Sequence, residues 1–231
     1  STFLFVGPEG VGKRQAALEI AKALLCETTP ADQLDACETC SSCLQVTAST
    51  HPDLMLIRKP ADRNFIPVET FIGDREHRMR EGMCHDIAMK AFRGGRKVAI
   101  IDDADYLNQE GANCLLKTLE EPPPGSIIIL ICTSEQRQLP TIRSRCQIVR
   151  FRALSDADLL EVLMRDALFA DRADAERVVV SSQGSVTRAI EMADAELTEF
   201  RELLEQQLSV PQLEDAVEAL AAGIGLGAVG A

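Results

Sequence analysis

A short apolar run, Phe3-Leu4-Phe5-Val6, leads directly into Gly7-Pro8-Glu9-Gly10-Val11-Gly12-Lys13, and Ala16, Ala17, Ile20, Ala23 and Leu24 follow at helical spacing. A strand that runs through a glycine loop into a helix leaves few architectures open. The glycines let backbone N–H groups turn toward an anion, the helix N-terminus adds partial positive charge, and the lysine reaches the outer phosphates. The pattern therefore makes Gly7, Pro8, Glu9, Gly10, Val11, Gly12 and Lys13 candidate nucleotide-binding residues. The competing reading is a plain strand–turn–helix connection, which does not account for seven consecutive matching positions.

The next position should carry a Ser or Thr hydroxyl to bind Mg²⁺. Here it is Arg14, whose guanidinium has no lone pair to give a metal and brings positive charge to the cation's place. Downstream, the apolar strand Val98-Ala99-Ile100-Ile101 ends in Asp102-Asp103-Ala104-Asp105. Asp102 fits the acid that holds Mg²⁺ through water. Asp103 occupies the place of a Glu that orients the attacking water, but is one methylene shorter. A misplacement of about 1 Å can cost roughly 100-fold in rate. An aspartate-rich strand end that caps the following helix is the other reading, and it stays open for Asp105. These residues predict a site that could take ATP or ADP but disfavours Mg²⁺.

Strands are expected at Thr2–Val6, Leu54–Ile57, Lys97–Ile101, Ile127–Cys132 and Gln147–Phe151. Helices are expected at Lys13–Leu25, from Val68 to about Glu81, and at Gln109–Glu121, where Pro122-Pro123-Pro124 stops the last. No element is assigned to 83–92. Alternating strands and helices predict an α/β fold, a mainly parallel sheet with helices on both faces. After Leu154 only helical patterns remain, at Ser155–Phe169, Arg172–Ser182, Ser185–Ala193 and Glu196–Leu208, with Ser155 and Asp158 marking a helix start.

Charge places the boundary in the same region. Residues 155–231 hold 16 acidic and 5 basic side chains, against 20 and 19 in residues 1–154. The expected division is a nucleotide-binding-type domain at 1–153, an acidic all-helical domain at 154–222 and a glycine- and alanine-rich tail at 223–231. A net charge of −12 argues against general nucleic-acid affinity. The basic cluster Arg75, Arg78 and Arg80 is read as a solvated face.

Four of the eight cysteines are bunched: Cys26, then Cys37-Glu38-Thr39-Cys40-Ser41-Ser42-Cys43. Two overlapping Cys-x-x-Cys steps and one upstream Cys supply four thiolates, the ligand set of a closed structural Zn²⁺ site within an insert at 26–43. A redox pair is the weaker rival. Cys84, Cys114, Cys132 and Cys146 sit in apolar runs and are expected to be buried free thiols. With no secretion signal and no apolar run of membrane-spanning length, this usage points to a reducing cytoplasm and no membrane.

Taken in order, the phosphate loop, the four-cysteine insert, Thr50-His51-Pro52-Asp53, the acidic strand end, Leu115-Leu116-Lys117-Thr118-Leu119-Glu120-Glu121-Pro122-Pro123 and Ile142-Arg143-Ser144-Arg145-Cys146 resemble the clamp-loader branch of the AAA+ family over most of residues 3–193. The delta-prime type of bacterial DNA polymerase III is the most similar branch. The resemblance implies an AAA+ phosphate-loop domain followed by a helical lid. It makes Thr133 the sensor near the outer phosphate and Arg145 the arginine finger, acting in trans on ATP bound by an adjacent subunit. Partners implied are other clamp-loader subunits of the gamma/tau and delta types and, through the assembled complex, the sliding clamp and primer-template DNA. The family's third, collar domain is expected to be missing from this chain.

Departures from the motor subunits of that family set the subtype. They have Thr where this chain has Arg14, and Glu where it has Asp103. They have arginine directly after Gly-Ser-x, where Gly184-Ser185-Val186 is followed by Thr187 and then Arg188. One helical position is about 100° of rotation, so Arg188 is expected to face away from the phosphates. The resemblance thus implies a subunit of the DNA polymerase III holoenzyme, a nucleotidyltransferase, with little or no ATPase activity of its own. Two other readings stay open: a working gamma/tau-like ATPase, and an unrelated phosphate-loop switch or kinase with a partner-binding zinc insert.

Overall fold

The computed structural model describes residues 1–30, 33–93 and 95–193. The expected helix Glu196–Leu208 and the tail at 223–231 lie outside them. The chain forms two compact units that divide between Ala153 and Leu154.

In the first unit, β1 (Thr2–Val6) leads into α1 (Lys13–Leu25), then α2 (Ser41–Thr47), β2 (Leu54–Ile57), α3 (Glu69–Ile72), α4 (Met83–Ala88), β3 (Lys97–Ile101), α5 (Gln109–Glu120), β4 (Ser126–Cys132), α6 (Pro140–Arg143) and β5 (Gln147–Arg150). The strands form one sheet in the order β2-β3-β4-β1-β5, and every pairing is parallel. The central strands β3, Lys-Val-Ala-Ile-Ile, and β4, Ser-Ile-Ile-Ile-Leu-Ile-Cys, are apolar almost throughout because helices cover both faces.

The two-residue period of each strand sorts its side chains between two cores. Phe5, Val98, Ile100, Ile129 and Ile131 pack with Ala17, Ala21 and Leu24 of α1. Leu4, Val6, Ala99, Ile101, Ile128 and Leu130 face the other way, toward Phe71 of α3, Ile87 of α4 and Leu115 and Leu119 of α5. With all strands parallel, the loops after β1, β3 and β4 gather at one end of the sheet. Open α/β sheets bind ligands at that carboxyl end.

In the second unit, α7 (Asp156–Arg165), α8 (Arg172–Ser182) and α9 (Val186–Met192) bury Leu159, Leu163, Ala175, Val179 and Ala189 together. Ser155 begins α7 as expected: its Oγ accepts the Asp158 N–H at 3.2 Å and lies 2.6 Å from the Asp158 carboxylate. No helix among the described residues is long and apolar enough to cross a membrane.

Several expectations are corrected. The helix from Val68 to about Glu81 is only α3, because Gly73 leaves the helix at φ 77 and Asp74 Oδ1 takes the N–H groups of Glu76 and His77 in a turn. The unassigned stretch contains α4, which starts after Gly82 at φ 89. The helix expected to reach Phe169 ends at Arg165, and Ala167 turns left-handed at φ 50. Cys84 and Cys132 are buried free thiols, but Cys114 and Cys146 are only partly covered.

Candidate functional site

The phosphate loop joins the end of β1 to the start of α1. Gly12 immediately precedes α1 with φ 88, a left-handed conformation that glycine adopts without a Cβ penalty. Gly7 is needed for a different reason: a Cβ there would run into the carbonyl oxygen of Phe151 and approach its Cβ to 2.9 Å. Lys13 is nearly buried, and its Nζ donates to the Gly7 and Pro8 carbonyls at 2.6 and 2.5 Å. Burial lowers its pKa, and the negative charges of Asp105, Glu9 and Asp102 only partly offset this.

β3 delivers Asp102 to the same end of the sheet. Its Oδ2 lies 3.5 Å from Nε of Arg14 and 3.3 Å from Nε of Arg58. Two guanidiniums thus share one carboxylate oxygen. Asp103 follows in the left-handed region at φ 60, and its N–H donates to Asp102 Oδ1 at 3.2 Å. Burial first, and the neighbouring Asp102 charge second, raise the Asp103 carboxyl above its ordinary value.

Thr133 directly follows β4, and its N–H donates to Asp105 Oδ2 at 2.6 Å. Asp105 is therefore not a helix cap. That task falls to Asn108, whose Oδ1 accepts the Gly111 N–H at 2.7 Å at the start of α5. The other Asp105 oxygen, Oδ1, is buried without a hydrogen-bond partner. Arg58 belongs to this site although its sequence context gave no sign of it, and Asp105, part of the acidic strand end, serves it by holding Thr133 instead of a helix. Arg58 follows Ile57, which pairs with Ile101, so the strand register alone sets it beside Asp102.

Arg145 lies elsewhere. It follows α6 and precedes β5, whose residue Gln147 pairs with Phe3. Its carbonyl accepts the Thr2 hydroxyl at 2.6 Å, so it sits at the amino end of the sheet. The guanidinium donates to the Thr141 carbonyl at 3.0 Å and to Ser144 Oγ at 3.3 Å, and it pairs with Glu120 at 3.5 Å. Its Nε is buried without a partner. In the second unit, Arg188 donates to Gln183 Oε1 at 2.6 Å.

The four clustered cysteines come together, their Sγ atoms all within 4.8 Å of one another. Cys26 and Cys40 are 4.0 Å apart, and Cys37 and Cys43 3.9 Å. A tetrahedron with metal–sulfur bonds of about 2.3 Å has edges of roughly 3.8 Å, so the set fits a four-coordinate metal. Backbone N–H groups of Thr29, Cys40 and Cys43 donate to the sulfurs of Cys26, Cys37 and Cys40 at 3.3 to 3.4 Å. Burial works against ionising Cys26, but the N–H groups of Cys37, Thr29 and Thr28 outweigh it and bring the thiol down to about 7. The Thr39 N–H, with the Thr28 hydroxyl and the Cys40 N–H, brings Cys37 down to about 5. Burial pushes Cys43 up. A bound cation would reverse that last shift, since a coordinating thiol is deprotonated outright.

Beside this cluster, His51 is buried with a hydrogen-bond partner at each ring nitrogen: Nδ1 accepts the Asp53 N–H at 3.1 Å and Nε2 meets Ser42 Oγ at 3.0 Å. Burial holds its imidazole below the ordinary value. The Asp53 carboxylate takes the N–H groups of Phe92 and Arg93 at 2.8 and 2.7 Å.

Comparison with known proteins adds the family. Residues 1–155 match the model of the family described as DNA polymerase III, delta subunit. The chain is 33% identical over 223 residues to DNA polymerase III subunit delta' of Pseudomonas aeruginosa, covering 93% of this chain and 64% of that protein. It is 29% identical to the Bacillus subtilis delta' subunit, covering 83% and 53%. It is 32% identical to the Bacillus subtilis tau subunit, covering 93% and 35%. The chain therefore spans between about one third and two thirds of the length of these relatives. Among solved structures, a mutant of Thermotoga maritima RuvB aligns with a TM-score of 0.52 at 14% identity, covering 96% of this chain and 62% of that one, which shows the AAA+-like fold alone. With the family match running across residues 1–155, this chain belongs to the DNA polymerase III delta-subunit family, in the clamp-loader group that also holds the tau and gamma subunits.

Proposed function

We propose that the chain is a clamp-loading subunit of a bacterial DNA polymerase III holoenzyme that does little or no ATP hydrolysis itself and supplies Arg145 to ATP held by a neighbouring subunit. The observation that carries this reading is the separation of Arg145 from its own phosphate loop. Thr2, which holds the Arg145 carbonyl, opens β1, and Gly7, which starts the loop, follows its last residue, Val6. At about 3.3 Å per residue, that is roughly 16 Å. A guanidinium there is badly placed for the chain's own nucleotide and available to one across a subunit boundary, where it would stabilise charge on a transferring phosphoryl group.

The residues of the phosphate-loop end support a degenerate site. As a magnesium site the set does not fit: Arg14 offers no lone pair, and Asp102 Oδ2 already faces two guanidiniums. Asp103 takes the place of the water-orienting acid but is short and held toward its neutral form. ATP or ADP could still be cradled by Gly7 to Lys13, with Thr133 as sensor. Residues 1–153 form the nucleotide-binding-type domain in this reading, and 154–222 the lid. The four cysteines hold a structural Zn²⁺. Other delta- and gamma/tau-type subunits are the partners, and the sliding clamp and primer-template DNA are reached through the assembled complex, in the cytoplasm.

An active gamma/tau-like ATPase is the second reading, left open by the retained Lys13 and Asp102 and the charge kept at Asp103, and favoured by the similarity to tau. Steady-state ATP turnover by the purified chain separates the two. The first reading expects turnover at background and the second expects multiple turnovers without partners.

A further inference from the structure

The geometry points to His51 as a positioning residue of the four-cysteine metal site, acting through the Ser42 hydroxyl to hold the two limbs that carry the thiolates. This rests on the reading of the cluster as a metal site, and it concerns residues that supply no ligand themselves.

One limb is the end of α1, with Cys26 and then Glu27. The other runs from Cys37 through Cys40 into α2, where Ser41 and Ser42 lie between Cys40 and Cys43. Residues 27–36 join the limbs, and those of them that are described form no helix or strand. A tetrahedral site needs all four sulfurs fixed, so something outside the connecting segment must hold the limbs in place.

The Ser42 hydroxyl is the bridge. It is fully buried and donates to Glu27 Oε1 at 2.9 Å, which ties α2 to the residue after Cys26. With its one proton given to Glu27, it can only accept from His51 Nε2, 3.0 Å away. Because Nδ1 accepts the Asp53 N–H, the ring proton must sit on Nε2, and the direction of each bond in the chain is fixed. His51 is in turn rooted in the sheet: Asp53 is fully buried, its carbonyl takes the Val98 N–H of β3 at 2.9 Å, and its carboxylate takes Phe92 and Arg93. Arg93 returns to the site, donating to Glu27 Oε1 at 3.2 Å and Ser41 Oγ at 3.0 Å. Partners bonded directly to ligands typically account for about 10- to 100-fold in metal affinity; this chain acts one residue further out, through Glu27 beside Cys26 and Ser42 beside Cys43, so the lower end of that range is expected.

The two amide isosteres of histidine divide its roles. Asn can replace Nδ1 as an acceptor for Asp53 but does not reach Ser42. Gln extends an amide N–H to the place of Nε2. Zn²⁺ affinity of the full chain, measured by competition with a chelator, and the visible spectrum of the Co²⁺ form test the assignment. His51→Asn and Ser42→Ala should each weaken Zn²⁺ by about tenfold and shift the Co²⁺ d–d bands, while His51→Gln stays within about threefold of the parent with its spectrum intact. If His51→Asn does not fold, Ser42→Ala carries the same comparison. Affinities within about twofold for all variants, or equal losses in the Asn and Gln variants, would overturn the role of His51 while leaving the metal site standing. A parent protein that takes up neither metal with its four thiols reduced would remove the metal reading itself, and the role with it.

Discussion

Arg14 Nε and Arg58 Nε approach the same oxygen of Asp102, Oδ2, at 3.5 and 3.3 Å. In a working phosphate-loop enzyme the position of Arg14 is a metal-binding hydroxyl, and Asp102 answers to the metal. Here the acid answers to cations built into the chain. Both arginines are about half exposed and Asp102 is not, so the carboxylate is the more enclosed partner.

Replacing Arg14 by Thr restores the hydroxyl and frees one side of Asp102. The variant should bind a fluorescent ATP analogue about tenfold more tightly with Mg²⁺ than with EDTA, the size of one charge-assisted hydrogen bond. The parent protein should show no such gain. Turnover should stay near background in the variant, because Asp103 is unchanged and Arg58 still faces Asp102. Titration by fluorescence and a phosphate-release assay check the two parts.

Gly7→Ala places a methyl group against the Phe151 backbone, which is fixed by the hydrogen bond from its N–H to the Val6 carbonyl at 2.7 Å. Neither side can yield without disturbing the join between β1 and the chain after β5. The variant should lose about 1–3 kcal/mol of stability, read from urea unfolding midpoints. Gly12→Ala meets no neighbour and should act through its left-handed backbone alone.

Asp103 gives a pH signature. Its carboxyl is raised in the folded state by burial and by Asp102. The folded protein therefore holds a proton that the unfolded chain has released, across the window from the ordinary value of 3.8 up to the raised folded value. Within that window stability falls as pH rises, and the loss is complete above it. Asp103→Asn removes the charge and keeps a side chain that tolerates φ 60. It should flatten this part of the pH–stability curve and be more stable than the parent at neutral pH, as measured by denaturant midpoints across the window.

The sheet was legible because its strands are short, apolar and bounded by turn residues. Thr2–Val6, Leu54–Ile57 and Lys97–Ile101 stand where alternation and apolar runs put them. The helix α2 was not, since Ser-Ser-Cys-Leu-Gln-Val-Thr is a weak helix former, and its start depends on Cys40 Sγ accepting the Cys43 N–H, a contact set by the cysteine cluster. The break after α3 was missed because the charged run 74–81, Asp-Arg-Glu-His-Arg-Met-Arg-Glu, contains no proline to stop a helix, while the backbone turns at Gly73. At the site, the loop and Asp102 could be read locally. Arg58 and Asp105 could not, because their roles come from β2 and β4 lying on either side of β3. His51 was visible as part of a motif, but only the burial of Ser42 and Asp53 gives it work.

The proposed role of Arg145 is to act on a neighbour's nucleotide. It is tested most directly by single-turnover ATP hydrolysis in a reconstituted clamp-loader complex where only the subunit facing Arg145 keeps a working phosphate loop. Arg145→Ala should leave the complex assembled and slow hydrolysis at that site by roughly a thousandfold. An assembled complex carrying Arg145→Ala that hydrolyses ATP there at the parent rate would contradict the account.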